Sequence, residues 1–469
     1  MQSDQFQIDV VQDNDKDNGS AYIGEDNITT LLYRFSLPAI VGMLVMATYN
    51  VVDTFFVARL GSEAIAALSV AFPLQMLMGA IGVGSGIGAA SLVSRSLGAK
   101  DREEAENALG QVITLAMVFG FIIAVAGFIY MRPLLVFLGT NPDIIALTEE
   151  YLLVITSGSA LFFLIMILNN VVRAEGNPML SMNMMIVSAV ANIILDPIFI
   201  FTLGMGIRGA AIATMLAKIV GIVMMLHYFI SGKSVLRFRF SSLKLRWKTI
   251  LNIYKIGLPA MILQFSNNIS LIITNVVLAG YGYIPVAVMG LVFRLQLFAI
   301  MPAIGIAQGL LPIIGYNFGA QKMDRVKEAF LKSAVAGTVL ITLAGAIFFL
   351  SPSFFLGIFS QEAELLAIGN HAVRIMVIMF PCIAAQIVSG SFFQAIGKGI
   401  PSLVLSLLRE VIVFIPFLFL LSDHFGLTGV WAARPVSDLV AFLLTFILIF
   451  HEFKKQGIPL NLRLLHSYK

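Results

Sequence analysis

Two acidic residues lie inside stretches of the chain that are otherwise apolar. Asp53 belongs to the run YNVVDTFFVARLG and Asp196 to the run NIILDP. An acid deep in a membrane-spanning helix costs roughly 2.5 to 3.5 kcal/mol on insertion scales, so such residues are functional by default. Because burial and mutual repulsion disfavour two bare carboxylates in one place, the pair predicts a site that binds and releases H⁺ or Na⁺.

Uncharged polar side chains stand close to both acids in the sequence. Tyr49 and Asn50 precede Asp53 by four and three residues, so they lie on the same face of a helix. Asn192 stands one helical turn before Asp196. The predicted H⁺ or Na⁺ ligands are Asp53, Asn192, Asp196 and Thr214, and Asn169 is a further uncharged candidate.

The elements that carry these residues are built for lipid. Of the 469 residues, 59% are hydrophobic and 12% are charged, whereas soluble proteins carry about 25% charged residues. Apolar segments of about 20 residues cross a bilayer as helices and are too long for barrel strands. We predict an all-α integral membrane protein with twelve spans, at 31–57, 65–93, 107–130, 148–171, 180–203, 208–231, 252–278, 285–314, 328–350, 369–395, 401–421 and 428–452.

The chain contains an internal repeat. FSLPAIVGML matches IGLPAMILQF at an offset of 221 residues, and Gly206 and Gly209 later meet Gly426 and Gly429 one residue out of register. Such a repeat predicts two parallel six-helix lobes around a central cavity, the usual architecture of alternating access. At the same offset Asp53 falls on Thr274. A lobe can therefore fold without this acid, which favours a functional role.

Basic residues are concentrated in alternate loops, above all in GKSVLRFRFSSLKLRWK, which has six Lys or Arg and no acid. This bias places both termini in the cytoplasm and predicts a multi-pass protein of the plasma (cytoplasmic, inner) membrane. It also explains the net charge of +4 by topology and lipid head groups rather than nucleic acid. We expect a monomer in the lipid bilayer. The predicted segments are a disordered acidic cytoplasmic tail (1–30), a first lobe (31–231), a basic cytoplasmic linker (232–251), a second lobe (252–452) and a basic cytoplasmic tail (453–469).

The second lobe has its own intramembrane charges. Arg434 and Asp438 are four residues apart on one helix, so we predict that they neutralise each other. Arg409 and Glu410 are adjacent, point to different faces and need partners elsewhere, and Arg294 is similarly placed. These charges could line the second half of the cavity.

Two further patterns limit the function. The glycines of GVGSGIG, residues 82–88, have the small-xxx-small spacing that lets helices pack closely and lack the spacing of a nucleotide loop. The five histidines are scattered, and the sequence has no nucleophile triad or metal-ligand spacing. We predict no enzyme activity and no cofactor beyond the coupling ion.

Four motifs occur in order along the twelve predicted helices: YNVVDTFFVARLG, LVSRSLGAKDREEAENA, VVRAEGNP and NIILDP. They resemble the multidrug and toxic compound extrusion (MATE) family of transporters, and most closely its DinF-like and archaeal branch. The resemblance covers essentially everything after the first thirty residues. It implies a V-shaped bundle that exports cationic or amphipathic compounds in exchange for H⁺ or Na⁺.

The resemblance also implies roles for single residues, because this branch places its acidic coupling residues in the first lobe. The matching residues are Asp53, Asn192, Asp196 and Thr214 for the cation, Tyr49 and Asn169 for the hydrogen-bond network, Tyr151 and Met185 for the drug-contacting wall, and Pro38 for a bend of the first helix.

Two alternative functions remain at this point. A flippase for lipid-linked oligosaccharides would share the two-lobe plan, but its cavity should hold a dense cluster of Arg and Lys for a pyrophosphate. A passive channel would conduct far faster than a carrier limited by conformational steps on the μs–ms scale.

Overall fold

The computed structural model describes residues 19–457, so residues 1–18 and 458–469 of the predicted tails lie outside the described residues. The regular structure of this part is helical, with no strand among residues 19–457. The α-helices are α1 (Ile28–Ala58), α2 (Ser62–Gly98), α3 (Arg102–Phe137), α4 (Pro142–Ser157), α5 (Ser159–Ala174), α6 (Pro178–Pro197), α7 (Gly206–Ile230), α8 (Trp247–Ala279), α9 (Tyr283–Gly319), α10 (Met323–Leu350), α11 (Pro352–Gly357), α12 (Ala363–Met376), α13 (Phe380–Ala395), α14 (Gly399–Leu407) and α15 (Phe414–Lys455). Single π-helical turns follow α6 (Ile198–Thr202) and α14 (Leu408–Ile412), and 3₁₀ turns cover Ala21–Gly24 and Phe240–Leu243.

These helices supply the twelve predicted spans. Within residues 19–457, nine helical units are long and apolar enough to cross a membrane, and two further spans are bent pairs, α4 with α5 at 53° and α12 with α13 at 54°. The unit Gly399–Lys455 has 57 residues, about 85 Å of helix against a hydrocarbon core of about 30 Å. It breaks at Gly426, whose φ of 58° and ψ of −139° are not helical, and so provides two spans.

The internal repeat is visible in the backbone. Gly61 and Gly282 precede the second helix of each half with φ of 118° and 112°, and Gly206 and Gly426 precede the last helix with φ of 56° and 58°. Glycine is the residue that adopts such angles without a steric penalty. The two halves, α1–α7 and α8–α15, are therefore built alike and form the two predicted lobes.

The lobes meet along α2 with α8 and along α1 with α9. A Cβ added to Gly84 would lie 2.7 Å from the carbonyl oxygen of Gly257, and one on Gly88 would overlap the carbonyl oxygen of Ile253. The GVGSGIG segment therefore packs helices closely, as predicted, and the helices belong to different lobes. These contacts fall in the halves of the helices nearer the side on which α1 begins, here called the terminal side.

The terminal side is closed further by residues 19–27, called the strap. The acidic tail was predicted to be disordered as far as residue 30, which is wrong for this stretch. Ile23 is fully buried, and its carbonyl oxygen accepts from Asn317 Nδ2 at 3.0 Å. Arg325 donates to the carbonyl of Asp26 at 2.6 Å, and the Tyr22 hydroxyl donates to the carbonyl of Gly176. Buried apolar side chains and satisfied carbonyls order the strap across both lobes.

The basic linker between the lobes lies against α3. Gln111 Nε2 donates to the carbonyls of Ser242 at 2.7 Å and Lys244 at 2.8 Å. Glu106, which is buried, accepts from Arg102 and pairs with Arg239, each at 3.2 Å. The linker is thus held to the first lobe by buried polar contacts.

Candidate functional site

A cavity of about 450 Å³ lies between the lobes. Its wall comes mostly from α1, α2, α5, α6 and α7 of the first lobe, and Gln264 and Gln308 contribute from the second. The predicted site residues that line it are Tyr49, Asn50, Asn169, Met185, Asn192 and Thr214. Residues far apart in sequence are therefore gathered at one cavity.

The two intramembrane acids come together beside this cavity. The carboxyl groups of Asp53 and Asp196 lie within hydrogen-bonding reach of each other. Asp196 is 0% exposed, whereas Asp53 is half-buried. Asp53 Oδ1 and Asp196 Oδ2 have no hydrogen-bond partner among the residues described. Two bare carboxylates repel each other, so this contact requires a proton or another cation between them.

Asn192 and Thr214 belong to the same polar cluster. Asn192 Nδ2 donates to Asp196 Oδ1 at 3.1 Å and to Thr214 Oγ1 at 3.4 Å. The other amide atom, Asn192 Oδ1, is buried and has no partner within residues 19–457. With its donor engaged and its acceptor free, this amide is oriented to present oxygen to a cation.

The local backbone explains how α6 presents its acid. Pro197 ends α6 immediately after Asp196, and the π-helical turn Ile198–Thr202 follows. Proline has no N–H for the helical ladder, and π turns are frequent at functional sites. The irregular backbone therefore begins at the residue that carries the chemistry.

Two tyrosines border the acids. Tyr49 interacts electrostatically with Asp53 and Asp196, and it lines the cavity. Tyr151, predicted to form the substrate wall, is 4% exposed, and its hydroxyl accepts from Gln75 Nε2 at 2.7 Å. Gln75 lines the cavity. Tyr151 thus lies behind the wall and positions an amide that is part of it.

Three other predicted residues have simpler surroundings. Asn50 is exposed to the cavity, and its amide donates to the carbonyl of Met46 at 2.8 Å. Met185 lines the cavity and packs its sulfur against Gly42 of α1. Helix α1 runs without interruption through the buried Pro38. The predicted bend at this proline therefore stays a prediction.

Lys218 is a site residue that the sequence reasoning missed. It lies one turn after Thr214 on α7, lines the cavity and interacts electrostatically with Asp53. Its ammonium group lies 4.8 Å from the ring centroid of Phe162, within cation–π range. The run MLAKIVG did contain the signal, because the rule that singled out Asp53 applies equally to an intramembrane lysine.

Arg173 is the second residue that was misjudged, since its charge was read only as a topology signal. The side chain is buried at 5% exposure and points into the cavity wall. Arg173 Nη2 donates to Asn169 Oδ1 at 2.6 Å, and Nη1 donates to Gln308 Oε1 of the second lobe. This contact joins the two lobes in the wall of the cavity.

A second cavity of about 400 Å³ lies mainly in the second lobe and is lined by Arg409, Glu410 and Arg434. The predicted pairing of Arg434 with Asp438 is wrong. Arg434 instead donates to both carboxylate oxygens of Glu410 at 2.7 Å, and Arg409 Nε lies 2.7 Å from Asp438 Oδ1. The π-helical turn of residues 408–412 brings partners from another helix closer than the intrahelical one. Arg294 is exposed and lies away from this wall.

The chain matches known proteins over most of its length. The MatE family model matches residues 38–198 and 259–420, one segment in each lobe. The multidrug export protein MepA of Staphylococcus saprophyticus is 28% identical over 438 residues, which cover 92% of this chain and 97% of that protein.

Solved structures agree with this match. A multidrug resistance MATE family transporter of the MOP superfamily in an outward-facing conformation superposes with a TM-score of 0.88 at 26% identity, covering 93% of this chain and 98% of the other. A MATE structure in the bent conformation gives a TM-score of 0.89 at 26% identity, covering 94% and 98%. The chain therefore belongs to the MatE family and is a membrane transporter rather than an enzyme.

Proposed function

We propose that this transporter is an antiporter that exports amphipathic or cationic organic compounds in exchange for H⁺ or Na⁺. The observation that carries the proposal is the contact between the Asp53 and Asp196 carboxyl groups beside the inter-lobe cavity. Each carboxyl group retains an oxygen without a partner among the described residues. Such a pair is stable when a cation is bound and strained when it is empty, which links occupancy to conformation.

Either coupling ion fits the donor set. One proton shared between the two carboxyl groups would satisfy them. Na⁺ prefers oxygen ligands, and Asp53, Asp196, Thr214 and the free Asn192 Oδ1 supply them. The first-lobe position of these ligands supports membership of the DinF-like and archaeal branch.

The conformational step rests on alternating access. In this structure the lobes are closed together on the terminal side by the glycine contacts and the strap. The predicted topology places both termini, and therefore the closed terminal side, in the cytoplasm. The cavity then faces the outside of the cell. We infer that cation binding alters α1, for which Pro38 supplies a weak point in the helical ladder, and that the change drives substrate release.

The substrate class follows from the cavity wall. Asp53 and Asp196, which lie beside the cavity, would attract a cationic group, and the methionines of the wall adapt to ligands of irregular shape. The names of the MepA relatives, multidrug export proteins, support a broad substrate range. The methionines and phenylalanines of the lining are Met46, Phe72, Met76, Phe162, Met166, Met184 and Met185.

The alternative functions receive less support. The arginines of the second cavity are engaged by Glu410 and Asp438, and Lys218 interacts with Asp53. The arginines of the second cavity are thus neutralised within the chain, and Arg173 and Lys218 of the first cavity are two cations rather than the dense cluster of Arg and Lys that a pyrophosphate needs, which disfavours a flippase. The closed terminal side disfavours an open channel.

The experiment compares Asp53→Asn with Asp423→Asn, a matched change at an exposed acid, in cells loaded with a fluorescent cationic dye. Asp53→Asn should abolish export while membrane insertion and protein level stay normal, because the amide cannot exchange a cation. Asp423→Asn should export like the wild type. Unchanged export by the Asp53→Asn variant would refute the proposed site.

A further inference from the structure

The last helix of each lobe can be compared residue by residue. Gly206 and Gly426 begin these helices with φ of 56° and 58°. Three residues later, a Cβ added to Gly209 or Gly429 would strike a backbone carbonyl of the preceding segment. The offset of 220 residues is therefore fixed by geometry as well as by sequence. It places Arg434 at the position of Thr214.

A guanidinium group thus occupies, in the second lobe, the position of a cation ligand in the first. Arg434 donates to Glu410 through both terminal nitrogens, each at 2.7 Å. Glu410 is 3% exposed, and its backbone carbonyl accepts from the Ser270 hydroxyl. Thr274, the counterpart of Asp53, lines the same cavity. The buried acid of this lobe is therefore satisfied by a cation that belongs to the chain.

The rest of the cluster is neutral as well. Arg409 Nε lies 2.7 Å from Asp438 Oδ1 and 3.7 Å from Glu410 Oε1. The charged groups that face Glu410 are Arg409 and Arg434, and Asp438 faces the same two arginines, so two cations balance two acids. The first lobe differs, because no Lys or Arg in the described chain forms an ion pair with Asp53 or Asp196, and Lys218 interacts with Asp53 only over a longer distance than an ion pair.

We propose that Arg434 is a resident cation that permanently fills the cation position of the second lobe. The lobe then folds and moves without exchanging an ion, and coupling is confined to the first lobe. Arg434 is in this view a specificity-determining residue that sets the number of exchangeable cation sites. The inference rests on the proposed function, because it presumes that Asp53 and Asp196 hold the exchangeable cation.

Removing Arg434 should uncover a cation site at Glu410. The test uses the purified full chain and an Asp53→Asn background that silences the first-lobe site. Thiol-dye labelling of Cys382, the single cysteine, reports the melting temperature. This temperature is followed over a roughly 100-fold range of NaCl, balanced with choline chloride, and over a pH series, since a ligand that binds the folded state raises it.

The Asp53→Asn protein should show no response to Na⁺ and only the pH dependence that is common to all variants, and adding Arg434→Thr should create a further response, with a melting temperature that rises with Na⁺ or rises more steeply with falling pH than in the Asp53→Asn protein. Adding Glu410→Gln should abolish the new response, and Arg434→Lys should never produce it. If the threonine variant does not fold, Arg434→Gln, which keeps a donor for Glu410, is measured instead.

Two negative results have different meanings. A response that is the same with and without Glu410→Gln would overturn the role of Arg434. An Asp53→Asn protein that keeps the full wild-type response would overturn the first-lobe site. The Arg434→Thr variants with and without Glu410→Gln could still be compared, so the role of Arg434 would be decided separately.

Discussion

At the scale of single residues, the chemistry of this transporter depends on which buried charges have a partner within the chain. Glu410 and Asp438 are each paired with an arginine, whereas Asp53 and Asp196 face each other. Removing the partner of a paired buried acid leaves an uncompensated buried charge and destabilises the fold. We propose that the acids without such a partner, Asp53 and Asp196, bind the exchangeable ion.

Glu175 is a buried acid outside the spans, in the connection between α5 and α6. It is 1% exposed, Ser234 Oγ donates to Oε2 at 2.6 Å, and the Tyr228 hydroxyl lies close to the carboxyl group. Burial raises the pKa of this carboxyl from 4.5 to about 7. The protonated form is therefore favoured in the folded state.

This shift predicts a pH-dependent stability. With a folded pKa above the unfolded one, the stabilisation is fully present below about 4.5 and is lost as pH rises through about 7. Glu175→Gln replaces the carboxyl group by an amide that is neutral at every pH. The melting temperature of this variant should therefore exceed that of the wild type above pH 7 and equal that of the wild type at acidic pH. The check is thermal unfolding across this pH range, with Asp423→Asn as the control. A constant difference at all pH values would contradict the prediction.

The residue scale also shows where sequence reasoning fails. Asp53, Asn192, Asp196 and Thr214 were predictable, because a polar residue in an apolar helix is conspicuous. The cross-helix pairs of Arg409 and Arg434 were not, since spacing along one helix cannot reveal a closer partner on another. Lys218 carried a visible signal that was overlooked.

At the scale of helices, close packing between the lobes depends on glycine. Helices α2 and α8 approach until the backbone of one touches that of the other at Gly84 and Gly88. The spacing in GVGSGIG predicted close packing, yet a pattern on one helix does not name its partner. That the partner is α8, across the lobes, required the structure.

Alanine at Gly88 should therefore weaken closure of the terminal side. The added methyl group would overlap the carbonyl oxygen of Ile253, and overpacking of this kind costs about 1–3 kcal/mol. We expect a lower melting temperature and slower dye export. Gly290→Ala, inside α9, is the matched control because no atom other than its own neighbouring backbone lies within 4 Å of the added Cβ and Gly290 lines neither cavity. Equal behaviour of the two variants would contradict the packing argument.

At the scale of the whole molecule, the two lobes share one fold but differ in the arrangement of their buried charged residues. The twelve spans and the repeat could be predicted, because apolar length and self-similarity are properties of sequence. The strap could not, since its order depends on contacts with Asn317 and Arg325 some three hundred residues away. In our account, the first lobe exchanges a cation and the second contains its own.

The most direct test of this account is transport of a fluorescent cationic dye by the purified protein in proteoliposomes, with H⁺ and Na⁺ gradients imposed separately. We predict that one gradient drives the wild type to accumulate dye against its concentration gradient, and that Asp53→Asn abolishes this accumulation. Dye that merely equilibrates under both gradients, or uphill transport that survives Asp53→Asn, would contradict a cation-coupled antiporter with its exchange site in the first lobe.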